Sequence, residues 1–330
     1  MKKSLSGWIV LCGLAAIVLD FSAPCGLAAA QPTKVTIHIP SKSLSLMPFY
    51  FGKDKGFFPG EMVDVQLVAM NPPTAIAALV AGELDFSTTL GAATSAIMQG
   101  HPLKRIFYVQ HDPAHVLVAL PEIKTVQGLT GKVVAVNAIT DATGMAARMI
   151  LRGNGMDPSR VTFLATQVSE NSYRALTTGK VAATMLIPPF SEELEAKGYS
   201  RLAEAKVYAP LSFIGLVAST DTLRRNSYKA EALIAGLLKT LAYLYNPANR
   251  SEVVQYIATF HKIDTGLADK AFAAILPSFS KDGTKPRKAI EREIEIYRET
   301  LKISKTFTPD DLEDMSLLKK IQDASTAQGR

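Results

Sequence analysis

The sequence predicts an α/β protein of two similar lobes, each a mostly parallel sheet covered by helices. Two observations carry this. From residue 34 onward, short β-branched runs alternate with helix-forming runs, the pattern of consecutive βαβ units. The alternation then restarts, and the second block repeats the first. Lys34-Val35 corresponds to Lys132-Val133, and "ALVAGELDFSTTL" to "ALTTGKVAATMLI", so that Ala78, Leu79 and Gly82 match Ala175, Leu176 and Gly179. Two copies of this size indicate two lobes rather than a solenoid.

The elements follow in order. "KVTIHI" is β-branched and alternates apolar with polar residues, hence a strand. "MPFYFGKDKGFF" is a short helix, with Pro48 near its start, where a missing N–H costs little, and Gly56 at its exit. "VDVQLVAM" is a second strand. "NPPTAIAALVAGEL" opens a helix, with Asn71 as cap and prolines in the first turn. "DFSTTL" is a short strand, "GAATSAIMQG" a helix and "KRIFYVQ" a strand. In the second block, "TVQGLTGKVVAVN" leads into a strand and "DATGMAARMILRGNG" is a helix closed by Gly153 and Gly155. "VTFLAT", "SENSYRALTTGK" and "VAATMLIP" continue as strand, helix and strand, ending at Pro188. After the strand-like "SFIGLVAST" the chain turns helical. Leu233, Leu237, Leu241 and Leu244, widened by Ile234 and Leu238, form a packing stripe at helical spacing. "KAIEREIEIYRETLK" interleaves acids with bases and reads as a solvated helix face. A last amphipathic segment carries Met315, Leu317 and Leu318.

Composition fits this architecture. The 330 residues are 48% hydrophobic and 20% charged, ordinary for about two globular domains. The net charge of +6 is spread along the chain, without the concentrated basic footprint of a nucleic-acid binder. Residues 1–30 have the plan of a secretory signal peptide: Lys2 and Lys3, an apolar run from Trp8 to Leu19, and small residues ending at Ala30. Cleavage after Ala30 and a periplasmic location are expected. The apolar run is shorter than the roughly 20 residues of a membrane span. Both cysteines, Cys12 and Cys25, lie in this leader. The mature chain then has none, which excludes disulfides, thiolate metal sites and cysteine nucleophiles. Lipid anchoring at Cys25 is the alternative start, and Pro24 directly before it fits poorly.

The run "MPFYFGKDKGFFPGEMVDVQLV" resembles a signature of bacterial periplasmic solute-binding proteins of ABC importers, in the nitrate, sulfonate/taurine and thiamine-precursor class. "PTAIAALVAGELDFSTTLGAA" is similar to that family's next element, and "LTGKVVAVN" with Thr143-Gly144 to the opening of its second lobe. The resemblance spans residues 34–250. It implies two Rossmann-like lobes joined by two crossing strands, a type II periplasmic binding protein, with the C-terminal helices returning to the first lobe. The crossings would be "HVLVALP" and "FIGLVAST". Lobe 1 would then comprise 31–115 and 219–330, and lobe 2 would comprise 116–218. Family members often carry an aspartate where this chain has Ala182. The implied function is capture of a small-molecule ligand and delivery to an inner-membrane ABC permease with its ATPase, by a monomer without cofactor, metal or nucleic acid. Two other roles stay open. One is a sensory protein that presents the ligand. The other is an enzyme resembling the pyrimidine synthases, whose cysteine-rich iron motif has no counterpart in a mature chain without cysteine.

Open α/β sheets bind ligands outside the carboxyl ends of their strands. That rule selects four loops. The first offers Ser41, Ser43, Leu44 and Ser45, with Phe49 behind it. The second offers Thr88, Thr89 and Gly91. The third offers Asn137, Thr140, Thr143 and Gly144. The fourth offers Pro188 and Phe190. His111 lies near the predicted crossing, with Tyr108 and Gln110. "TTLGAA" and "ITDATG" each precede a helix start, where free N–H groups and the dipole suit a carboxylate, sulfonate or phosphate. Ordinary capping by Asp141 and Thr143 is the other reading of the same residues. Lys42 is the one Lys or Arg in these loops, which favours a larger, partly apolar ligand over a small, fully charged anion.

Other chemistry finds no support. The five histidines show no metal-binding spacing; His111 and His115 are four apart but flank Pro113. There is no Gly-x-Ser-x-Gly elbow, phosphate-binding loop or Gly-x-Gly-x-x-Gly. Glu192, Glu193 and Glu195 read as a solvated helix face.

Overall fold

The computed structural model describes residues 32–58 and 62–328. The expected leader, with Cys12 and Cys25, lies outside the described residues, as do residues 59–61. The first run is β1 (Thr33–Ile39), α1 (Met47–Asp54), β2 (Val63–Ala69), α2 (Pro72–Ala81), β3 (Phe86–Thr89), α3 (Leu90–Met98) and β4 (Leu103–Tyr108). The second is β5 (Val116–Ala119), β6 (Val133–Val136), α4 (Ala142–Gly153), β7 (Thr162–Ala165), α5 (Ser169–Thr177), β8 (Ala183–Leu186), α6 (Phe190–Ala196) and β9 (Ser200–Glu204). Next come α7 (Ala205–Tyr208), β10 (Ile214–Ser219), α8 (Thr220–Arg225), α9 (Ser227–Tyr245), α10 (Arg250–His261) and α11 (Thr265–Ile275). The described chain ends with α12 (Arg287–Leu301), α13 (Pro309–Leu312) and α14 (Ser316–Gln328). Among the described residues no helix is long and apolar enough to cross a membrane.

The strands form two five-stranded sheets, ordered β2-β1-β3-β10-β4 and β7-β6-β8-β5-β9. This is one topology used twice. β10 runs antiparallel between β3 and β4, as β5 does between β8 and β9. The sequence repeat maps onto it: Ile37 pairs with Phe86 in the first sheet, and Val134 with Ala183 in the second. Leu79 and Leu176 are both fully buried. Gly82 and Gly179 close α2 and α5 at φ 77° and 70°, a left-handed turn that glycine adopts without steric cost. Asn71 caps α2 as its position predicts, accepting from the Thr74 amide at 3.0 Å.

The chain crosses between the sheets in irregular segments rather than in strands. β5 pairs wholly within the second sheet and β10 within the first. The outward crossing is therefore 109–115, and the return is complete before residue 214. The amides of Val109 and Gln110 both donate to the Ile214 carbonyl, so the two crossings are bonded where they meet. β9 was not legible beforehand; "SRLAE" is polar and half-exposed, as an edge strand tolerates.

Asp85 explains the site of Ala182. Its carboxylate accepts from the Thr36 amide at 2.9 Å, from the Thr36 hydroxyl at 3.0 Å, and from Lys229 of α9 at 2.6 Å. It ties β1 to a C-terminal helix and does not reach ligand space. The corresponding Ala182 of the second sheet is buried.

The C-terminal helices pack as the stripe predicts: Leu233, Ile234, Leu237, Leu241 and Leu244 are buried, and α9 lies against α1 and α14. The charged α12 departs from expectation. Ile290, Glu293, Ile294 and Tyr297 form a buried face. Glu293 is fully buried, 3.3 Å from Arg105 of β4 and 3.6 Å from Lys285, and it accepts from Ser212 at 2.6 Å. A buried carboxylate between two cations is paired rather than solvated, and the two cations hold its pKa below the usual range against the cost of burial.

Candidate functional site

A cleft with a cavity volume of about 80 Å³ lies between the carboxyl ends of the two sheets. The first sheet's loops bring Ser41, Ser43, Ser45, Thr89 and Gly91 to it. The second sheet's loops bring Asn137, Asp141, Thr143, Ser169 and Ile187. The crossings add His115 and Phe213, whose rings stack with centroids 4.2 Å apart. The cleft widens into an outer groove between α2, α3 and the loop after β6, where Thr140 stands at the mouth. Gln167 lines both, held at φ 72°, a backbone region that non-glycine residues occupy at a cost.

Several expected site residues lie elsewhere, for stated reasons. Leu44 and Phe49 are fully buried in the core of the first sheet. Thr88 alternates with Thr89 along β3 and so points into the fold, where it is fully buried. Gly144 lies in the first turn of α4, its amide donating to Asp141 at 3.0 Å. Pro188 follows Ile187 on the opposite side of the chain and lines a groove behind the crossings. Phe190 packs on Tyr173 at 5.1 Å within a smaller core of the second sheet. His111 is fixed by its amide to Ser278 and lies 3.5 Å from the Asp112 carboxylate. Tyr108 is buried and donates to Glu313 at 2.8 Å, and Gln110 donates to Ser278 at 2.9 Å.

The N-terminus of α4 is closed to an anion by the chain itself. One oxygen of Asp141 accepts from the Thr143 amide at 2.9 Å, the Gly144 amide at 3.0 Å and the Thr143 hydroxyl at 2.6 Å. Burial raises the Asp141 pKa, and these bonds oppose the rise without cancelling it. By contrast, no side chain caps α3 or α5. Their first turns, at Gly91 and Ser169, leave backbone N–H groups toward the cleft.

Behind Thr89 runs a hydrogen-bond chain: Thr89 Oγ1 lies 3.2 Å from Ser87 Oγ, which lies 2.9 Å from His38 Nδ1. His38 Nε2 lies 3.0 Å from the Met70 carbonyl. Burial lowers the His38 pKa to about 4 and that of His115 to about 3, so both rings are neutral at pH 7.

Three buried side-chain atoms at the cleft have no partner: Ser45 Oγ, His115 Nδ1 and Asn137 Oδ1. Buried polar atoms are ordinarily paired, with protein or with ordered water, so these three can pair with a water or with a solute in the cleft. Among the described residues no group of three or more His, Cys, Asp or Glu is placed to hold a metal ion. His115, Phe213, Ile187 and Gln167 escape a strand-exit rule because they belong to crossings, to alternation within a strand end and to a left-handed loop residue.

Comparisons with known proteins agree with this architecture. The family model described as NMT1/THI5 like matches residues 44–250. No curated protein matches the chain. The periplasmic nitrate-binding protein NrtA from Synechocystis PCC 6803 superposes with a TM-score of 0.73 at 14% identity, over 90% of this chain and 89% of its own. A ligand-binding component of an ABC-type import system from Staphylococcus aureus, with zinc bound, gives 0.72 at 14% identity, over 88% and 99%. The alkanesulfonate-binding protein SsuA from Xanthomonas axonopodis pv. citri, bound to MOPS, gives 0.68 at 17% identity, over 89% and 99%. At such identities the likeness establishes the fold, that of periplasmic binding proteins.

Proposed function

We propose a function from one established premise: this chain belongs to the NMT1/THI5-like family. It is the extracytoplasmic solute-binding subunit of an ABC importer. It captures a small organic ligand between its two lobes and delivers it to a membrane permease and ATPase, acting as a monomer after export.

The observation that carries this reading is the set of unpartnered polar atoms, Ser45 Oγ, His115 Nδ1 and Asn137 Oδ1, drawn from both sheets and one crossing onto a single cleft. A ligand touching all three bridges the lobes, so its binding energy favours the closed arrangement over the open one. Capture and release need no covalent step. The names of the similar structures support the same class of role: one is a nitrate-binding protein, one an alkanesulfonate-binding protein and one a ligand-binding component of an ABC-type import system, and this chain shares their fold.

The test is thermal-shift screening of the mature protein against a metabolite library, with titration calorimetry of each hit. A saturable one-to-one solute with a micromolar or tighter Kd, weakened roughly threefold to tenfold by Asn137→Ala, is expected. If no solute raises the melting temperature, the capture reading fails.

A further inference from the structure

We infer that Lys285, which lies outside the cleft, is a positioning residue for capture: it ties the return crossing to the first sheet and, with the rest of the loop 278–285, confines bending between the sheets to two proline-centred spans, 112–114 and 209–211. This rests on the capture reading, in which the two sheets move relative to one another.

The loop between α11 and α12 reaches both crossings. It holds the outward one through its main chain. The His111 amide donates to the Ser278 carbonyl at 3.1 Å, the Ser280 amide to the Val109 carbonyl at 2.9 Å and the Tyr108 amide to the Gly283 carbonyl at 2.8 Å. Gln110 donates from its side chain to Ser278 Oγ at 2.9 Å. The outward crossing therefore moves with the first sheet as far as His111.

The return crossing is held by a side chain instead. Pro210 has no N–H to donate. Lys285 Nζ donates to the Pro210 carbonyl at 3.0 Å and to Ser212 Oγ at 3.0 Å. Ser212 in turn donates to Glu293 at 2.6 Å. The Lys285 side chain is 1% exposed and its ammonium lies 3.6 Å from Glu293. An apolar side chain could fill this space without the cost of burying a charge, but it would give the crossing no donor.

Phe213 follows this anchor and faces the cleft. Its carbonyl accepts from the Leu90 amide at 3.0 Å, which sets it with the first sheet. His115, stacked on it, is set with the second: its carbonyl accepts from the Ala205 amide at 2.8 Å, and β5 begins at the next residue. Between these anchors lie 112–114 and 209–211. Among the described residues no backbone hydrogen bond ties 112–114 to either sheet, and those of 209–211 run only to Ala205 and within the span. Rotation of one sheet against the other falls on these spans, and Lys285 fixes where the second one ends.

The test is double electron–electron resonance on the mature protein without solute, between spin labels at Glu83→Cys and Lys180→Cys. Both positions are exposed, after α2 and α5, and no other cysteine follows residue 30. The parent should give one narrow distance distribution. Lys285→Met leaves Arg105 and Glu293 as a balanced pair and frees Pro210, and should raise the population outside the main peak on the order of tenfold. Leu312→Ala, a cavity in the core outside both crossings, lowers stability and should leave the distribution unmoved. An unmoved distribution in Lys285→Met, or an equal movement in Leu312→Ala, would overturn the inference. If Lys285→Met does not fold, Pro210→Gly decides, since it frees φ in the second span without touching the buried charges. A broadened peak then supports the inference and an unmoved one overturns it. Failure here leaves the capture reading standing, because no solute enters the measurement.

Discussion

Gly91 is the point where a single methyl group should separate binding from folding. A Cβ placed there would lie 3.0 Å from the Ala142 Cβ of the second lobe and 2.9 Å from the Tyr297 hydroxyl. Carbon atoms pack best at about 3.5–4.0 Å, so Gly91→Ala must part the lobes at this contact by roughly 0.5–1 Å. Overpacking of this kind costs about 1–3 kcal/mol. If the strain falls only on the closed arrangement, affinity weakens between about fivefold and 150-fold. The free protein should bear only the Tyr297 part of the strain, because Tyr297 is buried on α12, which packs against α3 with or without ligand. Gly91 lies in the first turn of α3 with φ outside the left-handed region, and alanine in a helix is worth up to about 1 kcal/mol over glycine. Calorimetric titration of a solute identified by screening, together with thermal unfolding of the free protein, measures both quantities. Adding Tyr297→Phe removes the hydroxyl contact and should restore the stability of the free protein while the affinity loss from the Ala142 contact remains. Wild-type affinity in Gly91→Ala would refute the reasoning, because it would mean that Gly91 and Ala142 are not in contact when ligand is held.

Three further outcomes are expected. Glu293→Gln leaves the Arg105 and Lys285 charges buried without their carboxylate, and should cost about 3–5 kcal/mol in denaturant unfolding; a loss under about 1 kcal/mol would contradict the pairing. Stability should fall with acid below pH 6.5, because His38 and His115, with folded pKa values of about 4 and about 3, stay neutral in the folded protein while the unfolded chain takes up protons. Each contributes up to about 1.4 kcal/mol per pH unit, present above pH 6.5 and lost as pH falls toward those folded values; urea unfolding that is flat between pH 6.5 and 4.5 would contradict it. Asn137→Ala should weaken solute binding by roughly threefold to tenfold without lowering the melting temperature of the free protein, since the Oδ1 it removes has no partner there; calorimetry and scanning calorimetry read the two effects.

Much of the fold was legible because its signals are local. β-branched runs, the Asn71 cap and the glycine exits at Gly82 and Gly179 act within a few residues, and the repeat exposed the shared topology of the two sheets. What was not legible depends on distant partners. The polarity of "KAIEREIEIYRETLK" reads as solvated until Arg105 and Lys285 are known to face Glu293. The site divides in the same way. Strand-exit loops identified Ser41, Ser43, Ser45, Thr89, Gly91, Asn137 and Thr143 at the cleft, but a loop does not say which of two neighbours faces inward. Thr88 and Pro188 turn away where Thr89 and Ile187 turn in. His115 and Phe213 come together only because the two crossings run side by side.

A crystal structure of the protein with a bound solute tests the central claim most directly. The account predicts ligand density between Thr89 and Asn137, within hydrogen-bond distance of Ser45 and against the His115–Phe213 pair, with contacts from both sheets. Density confined to one sheet's surface, or seated in the groove behind the crossings beside Pro188, would contradict it.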